Sequence, residues 1–180
     1  MTAQPPDTMP DSAKDFENPA PLTLVLASPD ETTAFAARLA SQLQAGDTLL
    51  LSGPIGAGKT HFARAVIQTR LKASGLVEDV PSPTFTLVQT YQAAELEIWH
   101  ADLYRLGDGA EADELGLHDA FDYALCLVEW PDRLGRDVPG HRLDLTFQTL
   151  PQAEHRQLSV TAHGGGWAHC ATVLSGDAYA

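Results

Sequence analysis

Gly53-Pro54-Ile55-Gly56-Ala57-Gly58-Lys59-Thr60 decides how this chain is read. It fits G-x-x-x-x-G-K-[ST], the pattern of a phosphate-binding loop. Just before it, Asp47-Thr48-Leu49-Leu50-Leu51 is a short apolar run of buried-strand type. Just after it, Phe62, Ala63, Val66, Ile67 and Leu71 recur at helical spacing. Strand, glycine turn and helix are the context the motif requires. The glycines Gly53, Gly56 and Gly58 let the backbone curl with its N–H groups inward, and the next helix turns its positive end to the same spot. In that arrangement Lys59 reaches the β- and γ-phosphates of a nucleotide, and the Thr60 hydroxyl ligates Mg²⁺.

Working outward, the 180 residues suit one domain, and a hydrophobic content of 44% is enough for a sizeable core. Eleven Lys+Arg against 24 Asp+Glu leave a formal charge of −13. A field of that sign repels phosphate backbones, which argues against direct tRNA or other nucleic-acid binding by the surface as a whole. Cys126 sits in an apolar run and reads as a small core residue, and nothing demands an oxidising compartment. The N-terminus carries neither a basic nor an apolar segment, and no apolar run approaches the roughly 20 residues that span a bilayer. A cytoplasmic protein without membrane contact is expected.

Residues 1–21 are rich in Pro, Asp and Ala and read as a disordered tail. Leu22 to Leu26 is a first strand. Ser28-Pro29-Asp30-Glu31 then starts a helix, with Ser28 as cap, Pro29 at the first position and Glu31 closing a capping box. Phe35, Leu39 and Leu43 make its buried stripe, and Gly46 ends it. The helix after the loop stops near Ser74-Gly75. Pro81-Ser82-Pro83-Thr84 is too stiff for a helix and reads either as a holder of a hydroxyl near a ligand or as an ordinary connection. Phe85 to Tyr91 and Leu96 to His100 form an expected hairpin around Gln92 to Glu95.

Asp102, just past that second run, reads as an acid near a bound phosphate, as a helix cap or as a partner of Arg105. Glu111 to Leu117 reads as a short, solvated acidic helix. Ala124 to Val128 is a continuous apolar run that ends in Glu129, and Trp130-Pro131 stop it. A hydrophobic strand ending in an acid is the partner of a phosphate loop, which makes Glu129 a candidate metal ligand. Leu143, Leu145, Phe147, then Leu158 and Val160, predict two antiparallel strands with one wet face. Arg156, between them, reads as a surface charge or a phosphate contact. Residues 163–180 are Gly-, Ala- and Ser-rich and read as a flexible tail, too mobile for His163, His169 and Cys170 to preset a metal site.

Five blocks, in order, resemble the TsaE family, also called YjeE. They are Gly56 to Thr60, Ser82 to Val88, His100 to Leu106, Glu114 to Leu117 and Leu127 to Pro131. The resemblance covers roughly residues 22–162, leaving both tails outside it. It implies an α/β fold: a P-loop NTPase-like three-layer domain with a mixed, mainly parallel central sheet and antiparallel additions. It implies ATP and Mg²⁺ as cofactors and TsaD and TsaB as partners in bacterial tRNA threonylcarbamoyladenosine formation, with tRNA met only through the complex. By position, Ile55, Gly56, Ala57, Gly58, Lys59 and Thr60 would hold phosphates. Thr60 and Glu129 would hold Mg²⁺, Thr84 would act as a switch threonine, and Asp102 would lie near the γ-phosphate. Glu31 would flank adenine, and Arg156 would touch the nucleotide. Pro54, His61 and Ala101 depart from the family's usual residues.

The phosphate loop alone also permits a small-molecule kinase, although the chain offers only scattered arginines for a lid. A non-catalytic module that senses nucleotide status is a further reading. No N-K-x-D run is present to read guanine.

Overall fold

A computed structural model describes residues 19–107 and 109–175. Seven strands form one sheet: β1 Leu22–Leu26, β2 Thr48–Ser52, β3 Val88–Ala93, β4 Leu96–Asp102, β5 Leu125–Glu129, β6 Arg142–Thr149 and β7 Arg156–His163. Their spatial order is β1-β7-β6-β2-β5-β4-β3. The four central strands β6, β2, β5 and β4 run parallel. β7 and β1 extend one side, each antiparallel to its neighbour, and β3 closes the other as a hairpin with β4.

The central strands are apolar on both faces, as a sheet covered on both sides requires. Leu49, Leu51, Leu125 and Leu127 enter one core, which α1 (Pro29–Gln42) and α2 (Lys59–Ala73) cover. Leu50, Cys126 and Val128 enter the other, beneath α3 (Gly109–Glu114) and α4 (Leu117–Tyr123). The result is the expected three-layer α/β domain. The aromatic chain Phe35, Phe62, Phe147 ties α1, α2 and β6 together, with ring centroids 6.1 and 5.6 Å apart.

Local signals place the helix ends. The Ser28 hydroxyl accepts from the Glu31 N–H at 3.2 Å, with Pro29 at the first helical position. Glu31 reaches one residue further back than a capping box does, accepting from the Ala27 N–H at 2.8 Å. α1 stops at Gln42, and Gly46 (φ +86°) serves the turn that follows rather than the helix end itself. α2 ends in a glycine motif: the Gly75 N–H donates to Lys72 O and the Leu76 N–H to Leu71 O.

Several expectations are corrected. The hairpin begins at Val88, not Phe85, because the Leu87 N–H donates to Pro83 O at 2.7 Å and closes a turn after the two prolines. The acidic helix divides at Gly116 (φ +79°), and Ala112 and Leu117 are buried rather than solvated. β6 does pair antiparallel with β7, but it also lies parallel beside β2 in the sheet centre, so the late strands form no separate antiparallel unit.

The chain beyond residue 163 is not a loose tail up to Ser175. A 3-10 turn over Trp167–Cys170 and α5 (Ala171–Leu174) pack on the α1 side, with Trp167 and Cys170 fully buried. Trp167 stacks on His141 at 4.3 Å and lies 5.6 Å from His169. Both histidines point Nε2 at the buried Asp47 carboxylate, at 2.9 Å each. One large indole outweighs the glycines around it. Of the expected tails, residues 1–18 and 176–180 lie outside the described residues. Among the described residues no helix is long and apolar enough to cross a membrane.

Candidate functional site

β2 delivers the chain to the loop at the C-terminal edge of the parallel strands. Gly53 (φ +140°) makes the first turn, and a Cβ there would collide with the Phe147 carbonyl of β6. Its glycine is therefore a packing requirement of the sheet. Gly56 (φ +76°) and Gly58 (φ +107°) have open space instead, so there the backbone angle is what demands glycine. Gly58 caps α2 with no side-chain bond. The first N–H groups of a 15-residue helix are thus left for an anion.

A cavity of about 250 Å³ opens beside this helix end. Ile55, Gly56, Lys59 and Thr60 line one side, and Thr84, Asp102, Tyr104, Glu129 and Trp130 the other. Lys59 is 5% exposed; its ammonium donates to Gly53 O (2.7 Å) and Pro54 O (2.9 Å) and sits 4.0 Å over the Trp130 ring. Burial lowers its pKa below the ordinary 10.5, and the negative fields of Glu129 and Asp102 oppose that shift.

The Thr60 hydroxyl donates to Glu129 Oε2 at 2.7 Å. The two residues lie 69 positions apart in the chain, and the parallel pairing of β2 with β5 brings them together. Glu129 is 1% exposed, and its other oxygen, Oε1, lies 2.9 Å from His100 Nε2. A carboxylate oxygen and a hydroxyl side by side are the hard donors that Mg²⁺ takes through one or two protein ligands. The donor set therefore fits that ion.

Asp102 stands beside Glu129 in the register of β4 with β5. Its Oδ2 accepts from the Thr84 hydroxyl at 3.0 Å, and its Oδ1 from the Tyr104 N–H at 3.0 Å. Thr84 in turn shares a 2.7 Å contact with Ser82. The rigid Pro-Ser-Pro-Thr segment thus does hold a hydroxyl at the cavity, anchored upstream where Arg64 donates to Val80 O at 2.7 Å. Arg105 goes elsewhere: its guanidinium lies 5.3 Å over Phe85. Asp102 faces the cavity as an acid, but it is not the expected helix cap: its bond from the Tyr104 N–H closes a turn, and the next helix begins only at Gly109.

Arg156 comes to the loop from β7. It donates to Ala57 O (3.1 Å) and Gly56 O (3.4 Å), bracing the loop from behind. It lines a second cavity of about 240 Å³ with Pro29, Thr32, Gly56, Gly58, His61 and Glu154. The structure thus gathers Ile55, Gly56, Lys59, Thr60, Thr84, Asp102 and Glu129 around one cavity, with Gly58 and Arg156 at its neighbour. Gly53 and Ala57 act beneath the loop. Glu31 lines neither cavity, its carboxylate being spent on Ala27.

Three residues of the site escaped sequence reasoning: His100, Tyr104 and Trp130. His100 could have been found by parity. It lies two residues before Asp102 on the same strand, hence on the same face. Trp130 takes φ +59°, an unusual angle for a bulky residue, as the chain leaves β5. Nothing local in the sequence announces it.

Comparison with known proteins accords with this geometry. The family described as "Threonylcarbamoyl adenosine biosynthesis protein TsaE" matches residues 26–158. A Bacillus subtilis protein named tRNA threonylcarbamoyladenosine biosynthesis protein TsaE is 36% identical over 138 residues, 76% of this chain and 83% of the relative. A Rickettsia felis protein of the same name is 41% identical over 129 residues, 72% of this chain and 74% of the relative. The crystal structure of YdiB from Bacillus subtilis superposes with a TM-score of 0.66 at 30% identity, covering 81% of this chain and 87% of that one. With its fold, its ordered sequence blocks and these matches in agreement, the chain belongs to the TsaE family of threonylcarbamoyl adenosine biosynthesis proteins.

Proposed function

We propose that this chain is the Mg²⁺-dependent, ATP-binding and ATP-hydrolysing component of the machinery that makes N6-threonylcarbamoyladenosine in tRNA, working with TsaD and TsaB. One observation carries the reading: Thr60 meets Glu129 at 2.7 Å beside the uncapped start of α2, with the Lys59 ammonium within the same cavity. Loop N–H groups, the helix start and Lys59 are the charges that offset a transferring phosphoryl group. Thr60 and Glu129 would hold Mg²⁺, which supplies further positive charge at the phosphate oxygens when bound. Asp102, fixed by Thr84 and the Tyr104 N–H, faces the cavity where it orders the attacking water. Among the described residues no arginine lines this cavity, so turnover by the isolated chain is slow and a partner completes it.

Hydrolysis of ATP by Lys59→Ala, Asp102→Ala and Glu129→Ala, alone and with TsaD and TsaB, tests the reading. Each variant loses turnover by at least about 100-fold, the scale of removing one preorganised contact to transition-state charge. Parental rates in all three would refute it. Tight nucleotide binding without turnover, even with both partners present, would leave a nucleotide-sensing module in its place.

A further inference from the structure

His100 is fully buried in β4, and its two ring nitrogens are in unlike situations. Nε2 lies 2.9 Å from Glu129 Oε1. Nδ1 is buried with no hydrogen-bond partner among the described residues. A buried N–H without an acceptor is costly, whereas a bare ring nitrogen there is the lesser loss. The proton therefore sits on Nε2, where Glu129 accepts it. Glu129 is thus gripped at Oε1 by His100 and meets Thr60 through Oε2.

The grip has a reason in the side chain it holds. A strand-end acid opposite a phosphate loop is commonly Asp, and Glu adds one rotatable bond and the disorder that goes with it. We propose that His100 is a positioning residue: by occupying Oε1 it fixes the Glu129 carboxylate so that Oε2 alone is presented to Thr60 and to the cation. This rests on the reading of Thr60 and Glu129 as the cation site. Partners that orient metal ligands in this way are worth about 10- to 100-fold in metal affinity.

The test compares the full chain with His100→Gln and His100→Asn, using a fluorescent ADP analogue titrated with Mg²⁺ and, separately, in EDTA. The Gln amide nitrogen falls near the place of Nε2 and retains the bond to Glu129. The Asn amide falls near Nδ1 and does not reach. His100→Asn raises the Mg²⁺ concentration needed for half-maximal effect about 10- to 100-fold, while binding in EDTA stays as in the parent and His100→Gln stays near it. An unchanged Mg²⁺ midpoint in His100→Asn overturns the proposal, as does an equal loss with and without Mg²⁺, the mark of a general structural role. A parent chain that binds the analogue with no Mg²⁺ dependence refutes the cation site itself, and the proposal with it. Should His100→Asn fail to fold, ¹⁵N NMR of the parent's ring decides. A protonated Nε2 and a bare Nδ1 support the grip, and the reverse overturns it.

Discussion

At the scale of the residue, Lys59 shows what the site asks of its parts. It is buried, folded back on two loop carbonyls and placed over Trp130, and burial holds its pKa below 10.5. The sign follows directly. A base whose pKa is depressed on folding opposes folding fully at pH below its folded-state value. That opposition is relieved as pH rises from there to 10.5. Over the same alkaline window the ammonium that the proposed function assigns to phosphate is lost. Nucleotide affinity therefore falls at a lower pH than an ordinary lysine would give, while Lys59→Ala shows no such fall. Affinity measured against pH from neutral upward checks this. Asp102 and Glu129 work in the opposite sense, favouring the charged ammonium, so the site balances burial against two carboxylates.

At the scale of the element, the loop is shaped as much by β6 as by any ligand. The Phe147 carbonyl presses on Gly53, and the angle there is left-handed. Gly53→Ala must displace either the loop or β6. It lowers stability by about 1–3 kcal/mol, the range for overpacking a filled site, and urea unfolding measures the loss. It also weakens nucleotide binding, because Lys59 donates to the carbonyl of this same residue. How far such elements were legible depended on the range of the forces that set them. Ser28-Pro29 and the run from Leu125 to Glu129 are fixed by neighbours in sequence, and both were readable. The place of β6 beside β2 is decided across about a hundred residues, by a crossover the alternating pattern of Leu143, Leu145 and Phe147 does not encode. Parity with Asp102 puts His100 on the right face, but its contact with Glu129 was not readable, since that partner lies 29 residues away on the next strand.

At the scale of the whole molecule, the segment from Trp167 to Leu174 closes the core rather than trailing from it. Glycines at 164–166 suggested looseness, but they supply the left-handed turns that swing Trp167 inward. Burial pushes the Cys170 thiol up to about 12, and the Cys126 thiol likewise. The two cysteines of the native chain therefore stay unreactive to a thiol reagent at pH 8. On denaturant titration Cys170 is labelled before Cys126 if the C-terminal segment opens ahead of the sheet. Quantifying labelled peptides by mass spectrometry distinguishes that order from simultaneous exposure. These layers converge on one pocket, lined by the start of α2 and by Glu129, where the proposed function would seat a phosphate chain and a divalent ion. Calorimetric titration of ATP into the parent and Glu129→Ala chains, with Mg²⁺ and with EDTA, tests that claim most directly. The loss of a charged contact worth about 1.5–3 kcal/mol predicts roughly 10- to 150-fold weaker binding by the parent in EDTA, and no Mg²⁺ effect in Glu129→Ala. Equal affinity in Mg²⁺ and EDTA for the parent, or an undiminished Mg²⁺ effect in Glu129→Ala, would contradict it.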